Sequence, residues 1–321
     1  MNRVTGEPLA IGVDIGGTKI ALALVARSGA VLAERRLPTR PEAGAAAALD
    51  VIARGIESLR SEAQGTVVGV GIGCPGHVDP ATGMVHYAVN LGWEDIPLRD
   101  GVRARLGDAL PVWAHKDTNA AALGELIFGA AHGCRDVIYL AIGTGLGGAA
   151  IVGGRLATGL NAYAMEVGHL VLDPLGRACR CGLRGCAEMY VSGVGLLAGA
   201  REWAPSYPES PLARQIAAIS TRDIVAAFQA GDSLAAAVMD EAARTLGTVM
   251  STCASLLNPE RFVLGGGLGH AAARFWIERG GEIFRAQVLP AAREGVSIVE
   301  STVPSSAVGA SALVWHAHEA G

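Results

Sequence analysis

Aromatic residues are scarce in this 321-residue chain, at 5%, and charged residues make up only 17%. So little charge, with half of the residues hydrophobic, excludes a self-repelling disordered chain and leaves ample material for a core. Neither sign of charge dominates: the net charge is −4 and the pI near 6.1. No basic stripe stands out that would neutralise a phosphate backbone, which argues against a nucleic-acid partner. The N-terminus lacks the charged, apolar, small-residue order of a signal peptide. The most apolar run, residues 137–154, is broken by glycines and makes a poor membrane helix. These absences together imply a soluble, cytoplasmic protein without a membrane partner. The chain also lacks a Walker A sequence, and its first strand does not lead into a dinucleotide-binding Gly-x-Gly-x-x-Gly turn and helix.

Glycine, by contrast, is abundant, with 44 residues. A composition rich in Gly, Ala, Val and Leu suits closely packed layers of helix and sheet, and the length suggests one large domain or two lobes. Residues 10–14 form an apolar strand candidate that runs into Gly16-Gly17-Thr18-Lys19. Residues 20–25 form the second strand, with Ser28-Gly29 turning it toward a third. A helix is expected over 43–62 and a strand over 67–72, ending in Gly73-Cys74-Pro75-Gly76. A strand over 111–114 meets Asp117, and a helix over 120–131 follows with Thr118 or Asn119 as its cap. A strand over 137–142 then ends in Gly143-Thr144-Gly145 and returns over 149–152. The two glycine hairpins resemble each other, which suggests two lobes on one plan facing a cleft. Helical patterns dominate 189–256, a strand over 261–264 ends in Gly265-Gly266-Gly267, and a helix over 305–318 closes the chain.

Three groups of residues carry chemistry. Glycine loops let backbone N–H groups approach phosphate oxygens, and Asp14 beside the first loop could hold Mg²⁺. Asp117, between a strand and a helix, could accept a proton from an attacking hydroxyl, although position alone favours a helix cap. His169 with Cys179, Cys181 and Cys186 offers an imidazole and three thiolates, a closed tetrahedral set for structural zinc. Such a cluster in a large chain points to metal rather than disulfides. Glu166 and Glu188 flank it, so an ion would fix two carboxylates near one another. The second nitrogen of His169 would remain for a substrate hydroxyl.

Together these motifs resemble the ROK family of sugar kinases. The likeness runs through Asp14-Ile15-Gly16-Gly17-Thr18-Lys19, Gly73-Cys74-Pro75-Gly76, Asn90-Leu91-Gly92-Trp93, Asp117-Thr118-Asn119 and Gly143-Thr144-Gly145. It continues in Glu166-Val167-Gly168-His169, the Cys-x-Cys-Gly-x-x-Gly-Cys-x-Glu run ending at Glu188, and Asn258-Pro259-Glu260. The resemblance implies a two-lobed actin-like ATPase (ribonuclease H-like) α/β fold with a cleft between the lobes. Residues 1–118 would form the N-terminal lobe, with a C-terminal helix at about 306–321 packing back on it. Residues 119–305 would form the other lobe, with the zinc cluster. It also implies ATP-dependent phosphorylation of a hexose hydroxyl, glucokinase-like at C6, with ATP, Mg²⁺ and structural Zn²⁺ as cofactors. By that resemblance Asp117 is the general base, which reverses the reading from position, and Asp14 places Mg²⁺. Gly16, Gly17, Thr18, Lys19, Thr144, Gly145, Gly265, Gly266 and Gly267 would bind ATP. Gly76, Asn90, Lys116, Asp117, Glu166, His169 and Glu188 would line the sugar. A homodimer or higher homo-oligomer is the expected assembly.

Two positions depart from the family. Lys116 stands where an Asn usually precedes the catalytic Asp, and a flexible cation cannot reproduce an amide's paired donor and acceptor. Met165 stands where a glycine often precedes the glutamate. Lys116 therefore keeps a second substrate class open: an amino sugar such as N-acetylmannosamine, N-acetylglucosamine or a 3-amino sugar, or a sugar-like cyclitol. A sugar-sensing regulator is a reading of another class, and the thirteen residues ahead of Asp14 leave little room for its helix-turn-helix module. A kinase-like protein that binds sugar without phosphorylating it is a third, which the retained Asp117 opposes.

Overall fold

In a computed structural model the chain is described over residues 7–108 and 110–320. It divides into two compact units. The first gathers the described residues up to Gly133 with Leu156–Ala164 and those from Thr302 onward; the second holds Cys134–Arg155 and Met165–Ser301.

In the first unit, β1 (Leu9–Ile15), β2 (Lys19–Ala26) and β3 (Val31–Pro38) form an antiparallel meander, followed by α1 (Gly44–Glu62) and β4 (Val67–Cys74). Next come the short strands β5 (His77–Asp79), β6 (Met84–Ala88) and β7 (Trp93–Pro97), then α2 (Leu98–Arg105), β8 (Val112–Lys116) and α3 (Asp117–Phe128). The main sheet has the order β3-β2-β1-β4-β8, with β1, β4 and β8 parallel; β5, β6 and β7 form a separate antiparallel sheet.

The second unit opens with β9 (Val137–Ile142), β10 (Leu146–Val152) and, at the edge of the chain crossing, β11 (Arg155–Leu156). A long irregular stretch leads to α4 (Glu188–Val191), α5 (Gly193–Trp203), α6 (Pro211–Arg214), α7 (Thr221–Gln229) and α8 (Ser233–Leu257). Then follow β12 (Arg261–Gly265), α9 (Gly267–Ala271), α10 (Ala273–Phe275), α11 (Gly281–Gln287), α12 (Pro290–Arg293) and β13 (Ser297–Glu300). Its sheet has the order β11-β10-β9-β12-β13, again with the three strands β9, β12 and β13 parallel and β10 antiparallel. The helices start and stop on local signals. Ser220 and Asp223 form a reciprocal capping box on α7, Asp232 accepts the Ala235 N–H at 3.0 Å to start α8, and Asn258 ends α8 in the left-handed conformation just before Pro259.

The last helix, α13 (Ser306–Ala320), belongs to the first unit. Over residues 307–315 it is buried all round and apolar but for Ser311, as a helix enclosed on every side must be. Strand β1 is buried on both faces: Ile11, Val13 and Ile15 pack with Ile52, Ile56 and Leu59, while Ala10 packs with Val314 and Trp315. Each such isoleucine or leucine contributes about 1.5–3 kcal/mol of burial. A Cβ at Gly12 or Gly71 would lie 1.8 or 2.0 Å from the carbonyl oxygens of Ala307 and Ala310, so α13 can approach the sheet this closely only over glycine. Glu125, fully buried on α3, accepts the N–H groups of Ala130 (2.7 Å), Thr302 (3.0 Å) and Val303 (3.0 Å) and ties the entry of α13 to α3.

Three expectations change. The first unit runs to Gly133, past the expected division at 118/119, because α3 packs against α13. Strand β4 extends two residues beyond 72, since Gly73 and Cys74 pair with His115 and Lys116. Helix α3 begins at Asp117 and neither Thr118 nor Asn119 caps it. Strand β8 runs into the helix with no linker, so Lys116 takes the cap position in an extended conformation and Thr118 is buried in the first turn.

Candidate active site

The C-terminal edge of β1, β4 and β8 brings the first unit's carboxylates together. Asp14 pairs with Gly73, and Gly73 pairs with His115, two residues before Asp117. A Cβ built on Gly73 would lie 3.5 Å from the Asp117 Cα and 3.7 Å from Asp14 Oδ1, so both aspartates border this glycine. This is the edge at which parallel α/β sheets hold ligands. The Asp117 carboxylate accepts the Thr118 N–H at 2.7 Å, which orients it at the first turn of α3. Burial raises the Asp14 pKa, against the Ser306 hydroxyl, which donates to Oδ2, and the charge of Lys19. Cys74, buried beside them, has its thiol pushed well up by burial and by the charges of Asp117 and Asp14.

The loop after β1 is a tight turn in which the Gly16 N–H donates to the Lys19 carbonyl at 2.9 Å, and the Thr39 hydroxyl holds the Gly16 carbonyl at 2.6 Å. Gly17 faces Asn90: a Cβ there would stand 3.6 Å from the Asn90 carbonyl oxygen. Thr18 and Lys19 are exposed. Gly76 has φ +90°, and a Cβ would come within 2.2 Å of the Tyr87 carbonyl oxygen, so no other residue fits. The structure thus gathers Asp14, Gly16, Gly17, Gly76, Asn90 and Asp117 in one unit.

In the second unit the loop Gly143-Thr144-Gly145 is held from behind by the start of α5. The Gly193 N–H donates to the Gly143 carbonyl at 2.8 Å and that of Val194 to the Thr144 carbonyl at 3.2 Å. Glu188 reaches the same loop, since a Cβ on Gly145 would lie 2.9 Å from its Oε2. Glu166 and His169 sit on one 3-10 turn, joined by a 3.0 Å bond from the His169 N–H to the Glu166 carbonyl. Gly168 lets that turn lie on β10, where a Cβ would be 2.3 Å from the Leu146 carbonyl oxygen. Met165, just before it, is held at φ +65°, a left-handed conformation that explains why glycine suits this position. Gly265, Gly266 and Gly267 end β12 and open α9, with Gly266 at φ +84° under the Ile142 carbonyl.

The cysteine cluster forms around this turn. Cys181 and Cys186 sulfurs are 3.6 Å apart, Cys179 Sγ is 3.8 Å from His169 Nδ1, and all four ligand atoms lie within 4.8 Å of one another. A tetrahedral shell with Zn–S near 2.3 Å has edges of about 3.7 Å, so three sulfurs and one nitrogen in this arrangement fit zinc. The Cys179 thiol donates to Glu188 Oε1 at 3.2 Å. Burial pushes that thiol up to about 12, while Cys181 is lowered: its burial is outweighed by the Leu183 N–H and by the neighbouring thiols.

Sequence reasoning missed Ser306, whose bond to Asp14 spans 292 residues and leaves no local signal. It also missed the β5-β6-β7 sheet, in which Gly76 directly precedes β5 and Asn90 lies in the turn between β6 and β7.

Comparison with known proteins gives the family and the class of activity. Residues 10–317 match the ROK family, and the chain belongs to it. It is 40% identical over 268 residues to the glucokinase of Streptomyces coelicolor, covering 81% of this chain and 82% of that one. It is 33% identical over 304 residues to the glucokinase of Halalkalibacterium halodurans, covering 92% and 91%. The crystal structure of a ROK family glucokinase from Streptomyces griseus in complex with glucose and AMPPNP superposes with a TM-score of 0.80 at 34% identity, over 97% of this chain and 99% of that one. The fold is therefore the actin-like ATPase fold expected from sequence, and the protein is a sugar kinase. Transcriptional repressors also match this chain. Among the described residues no helix is long and apolar enough to cross a membrane.

Proposed function

We propose that this sugar kinase transfers the γ-phosphoryl group of ATP to the C6 hydroxyl of glucose. The observation that carries the reading is the placing of Asp14 and Asp117 on one strand edge, either side of Gly73. Asp117 accepts the proton of the sugar hydroxyl; the hydroxyl oxygen attacks the γ-phosphorus, and the bond to the bridging oxygen breaks to release ADP. Gly16, Gly17, Thr18, Lys19, Thr144, Gly145 and the Gly265-Gly266-Gly267 run are the ATP-binding residues, which offer open backbone to phosphate and nucleotide. Gly76, Asn90, Lys116, Glu166, His169 and Glu188 bind the sugar. Asp14, an oxygen ligand beside a phosphate-binding loop, holds Mg²⁺, which supplies charge neutralisation on the phosphates. His169, Cys179, Cys181 and Cys186 hold a structural zinc ion, which fixes the loop between them. The glucokinases among the relatives, one of them solved with glucose and an ATP analogue, support this assignment.

Lys116 favours a second reading in which the acceptor is an amino sugar or a cyclitol. One experiment separates the two: an ATP-coupled assay across glucose, mannose, N-acetylhexosamines, free amino sugars and cyclitols, with the product phosphate located by NMR. Glucose 6-phosphate as the best product supports the first reading, and a marked preference for another acceptor replaces it with the second. No turnover on any acceptor, with sugar binding retained, would make the protein a sugar sensor. Purification should bring about one zinc ion per chain.

A further inference from the structure

The stretch that carries the three cysteines has no helix or strand of its own. Its backbone is held by two isolated bridges, Val171 with Cys186 and Ala178 with Arg184. One side chain leaves it for the helices beneath. Arg177 is only 11% exposed, unlike the exposed Arg180 and Arg184 of the same loop. Its Nε donates to Glu202 on α5 at 2.7 Å, one terminal nitrogen lies 2.8 Å from Glu241 on α8, and the other donates to the Met189 carbonyl on α4 at 3.1 Å. The guanidinium also lies over the Tyr190 ring, 4.6 Å from its centroid. The main chain of Arg177 is used as fully. Its N–H donates to the Tyr190 hydroxyl at 3.2 Å, and its carbonyl accepts the Gly185 N–H at 2.8 Å, one residue before Cys186.

We propose that Arg177 is the positioning residue of the zinc site: its fork pins the cysteine loop to α4, α5 and α8 so that Cys179, Cys186 and Glu188 are aligned before the ion binds. This rests on the zinc reading above. The geometry reaches both sides of the cluster at once, because Arg177 is two residues ahead of Cys179 while Met189 directly follows Glu188. Only a planar group with several fixed donors reaches three helices together; a lysine ammonium on the same stem is a single point of charge. Because two of the partners are carboxylates in a half-buried layer, the arrangement selects arginine rather than an apolar brace.

The test uses the full chain. Zinc affinity is measured by competition with a chromophoric chelator, the cobalt-substituted protein gives the thiolate-to-metal absorption, and KM is determined separately for sugar and for ATP. In Arg177→Met, which keeps the length of the stem, zinc affinity should fall about 10-fold or more, the range typical of lost partners behind a metal site. The cobalt absorption should weaken or shift, and the sugar KM should rise more than the ATP KM. Arg177→Lys should resemble Arg177→Met more than wild type. Should Arg177→Met fail to fold, Glu202→Gln and Glu241→Gln each remove the charge from one arm and should each lower zinc affinity to a smaller degree. A variant that melts lower yet keeps wild-type zinc affinity and cobalt spectrum would reduce Arg177 to packing and overturn the inference. A wild-type protein that binds no zinc would instead bring down the zinc reading itself, and this inference with it.

Discussion

The two five-stranded sheets share one strand order and one pattern of directions, and they carry different chemistry. Asp14 and Ala141 are equivalent by register. Each is the penultimate residue of its central strand, and each pairs with a glycine on the next parallel strand, Gly73 or Gly265. A glycine loop follows both. The backbone plan therefore supplies two similar scaffolds, and a side-chain difference at the strand end decides which of them holds a carboxylate. The first unit also gains Asp117 at the exit of β8, where the second has the polar edge of β13. The second unit gains, between β11 and α4, the irregular stretch that carries the cysteine cluster. On the proposed function, proton transfer and metal bracing are thus divided between copies of one plan.

The sharpest way to break this division is Asp117→Asn. The amide keeps the acceptor for the Thr118 N–H and cannot take a proton. Turnover should fall by about 10²–10⁴, the usual contribution of a general base, while sugar binding measured by calorimetry stays close to wild type. Glu300→Gln, at the end of β13, should leave turnover near wild type. If the two substitutions cost the same, the chemistry is not confined to the first sheet.

Next in size is Glu125→Ala. It would strand three backbone N–H groups in a closed interior and release the entry of α13. Stability in urea should drop by on the order of 3–5 kcal/mol. A drop no larger than for an exposed glutamate would show that α13 is held by its apolar faces alone.

His115 separates the sheets by pH. It lies on β8, Nδ1 is enclosed without a hydrogen-bond partner, and β13 has no histidine. Burial, with the nearby charge of His316 second, lowers its pKa from 6.5 to about 4. The unfolded chain therefore binds a proton there that the folded chain refuses. The contribution is fully present above pH 6.5 and is lost as pH falls toward about 4. Across that window it amounts to on the order of 3 kcal/mol. Urea unfolding of His115→Asn should show a shallower loss of stability through the window than wild type. An identical slope would assign the acid sensitivity to other groups.

How much of this was legible in the sequence follows from the range of the forces involved. Strands β1, β2, β9 and β12 announced themselves because buried strands need unbroken apolar runs, and their glycine loops marked the ends. The cysteine cluster was legible because its ligands are close in sequence and their chemistry is restrictive. Strands β5 to β7 were not, since they are short and partly exposed and their pattern has few apolar positions. The end of the first unit was misplaced because α3 is claimed by α13, from the far end of the chain. The capping residues near Asp117 were misassigned for a related reason: a cap is chosen by how a helix is entered, and β8 enters α3 directly.

Two left-handed residues, Gly76 in the first unit and Met165 in the second, give the smallest predicted effect and the finest comparison. At Gly76 a side chain has nowhere to go, because its Cβ would sit 2.2 Å from the Tyr87 carbonyl oxygen. At Met165 the side chain is present and packs near Gly148, with its Cε 3.5 Å from where a Cβ on that glycine would be. The left-handed conformation costs a residue with a Cβ about 1–2 kcal/mol, and glycine escapes it at an entropic cost of about 0.5–1 kcal/mol. Met165→Gly should therefore raise stability by no more than about 1.5 kcal/mol in thermal melts, the largest difference between those two effects, less the packing that the methionine provides. Met165→Ala keeps the Cβ, loses the packing and should be no better than wild type. If alanine stabilises as much as glycine, the conformation is not strained, and the contrast with Gly76 reduces to the space around each residue.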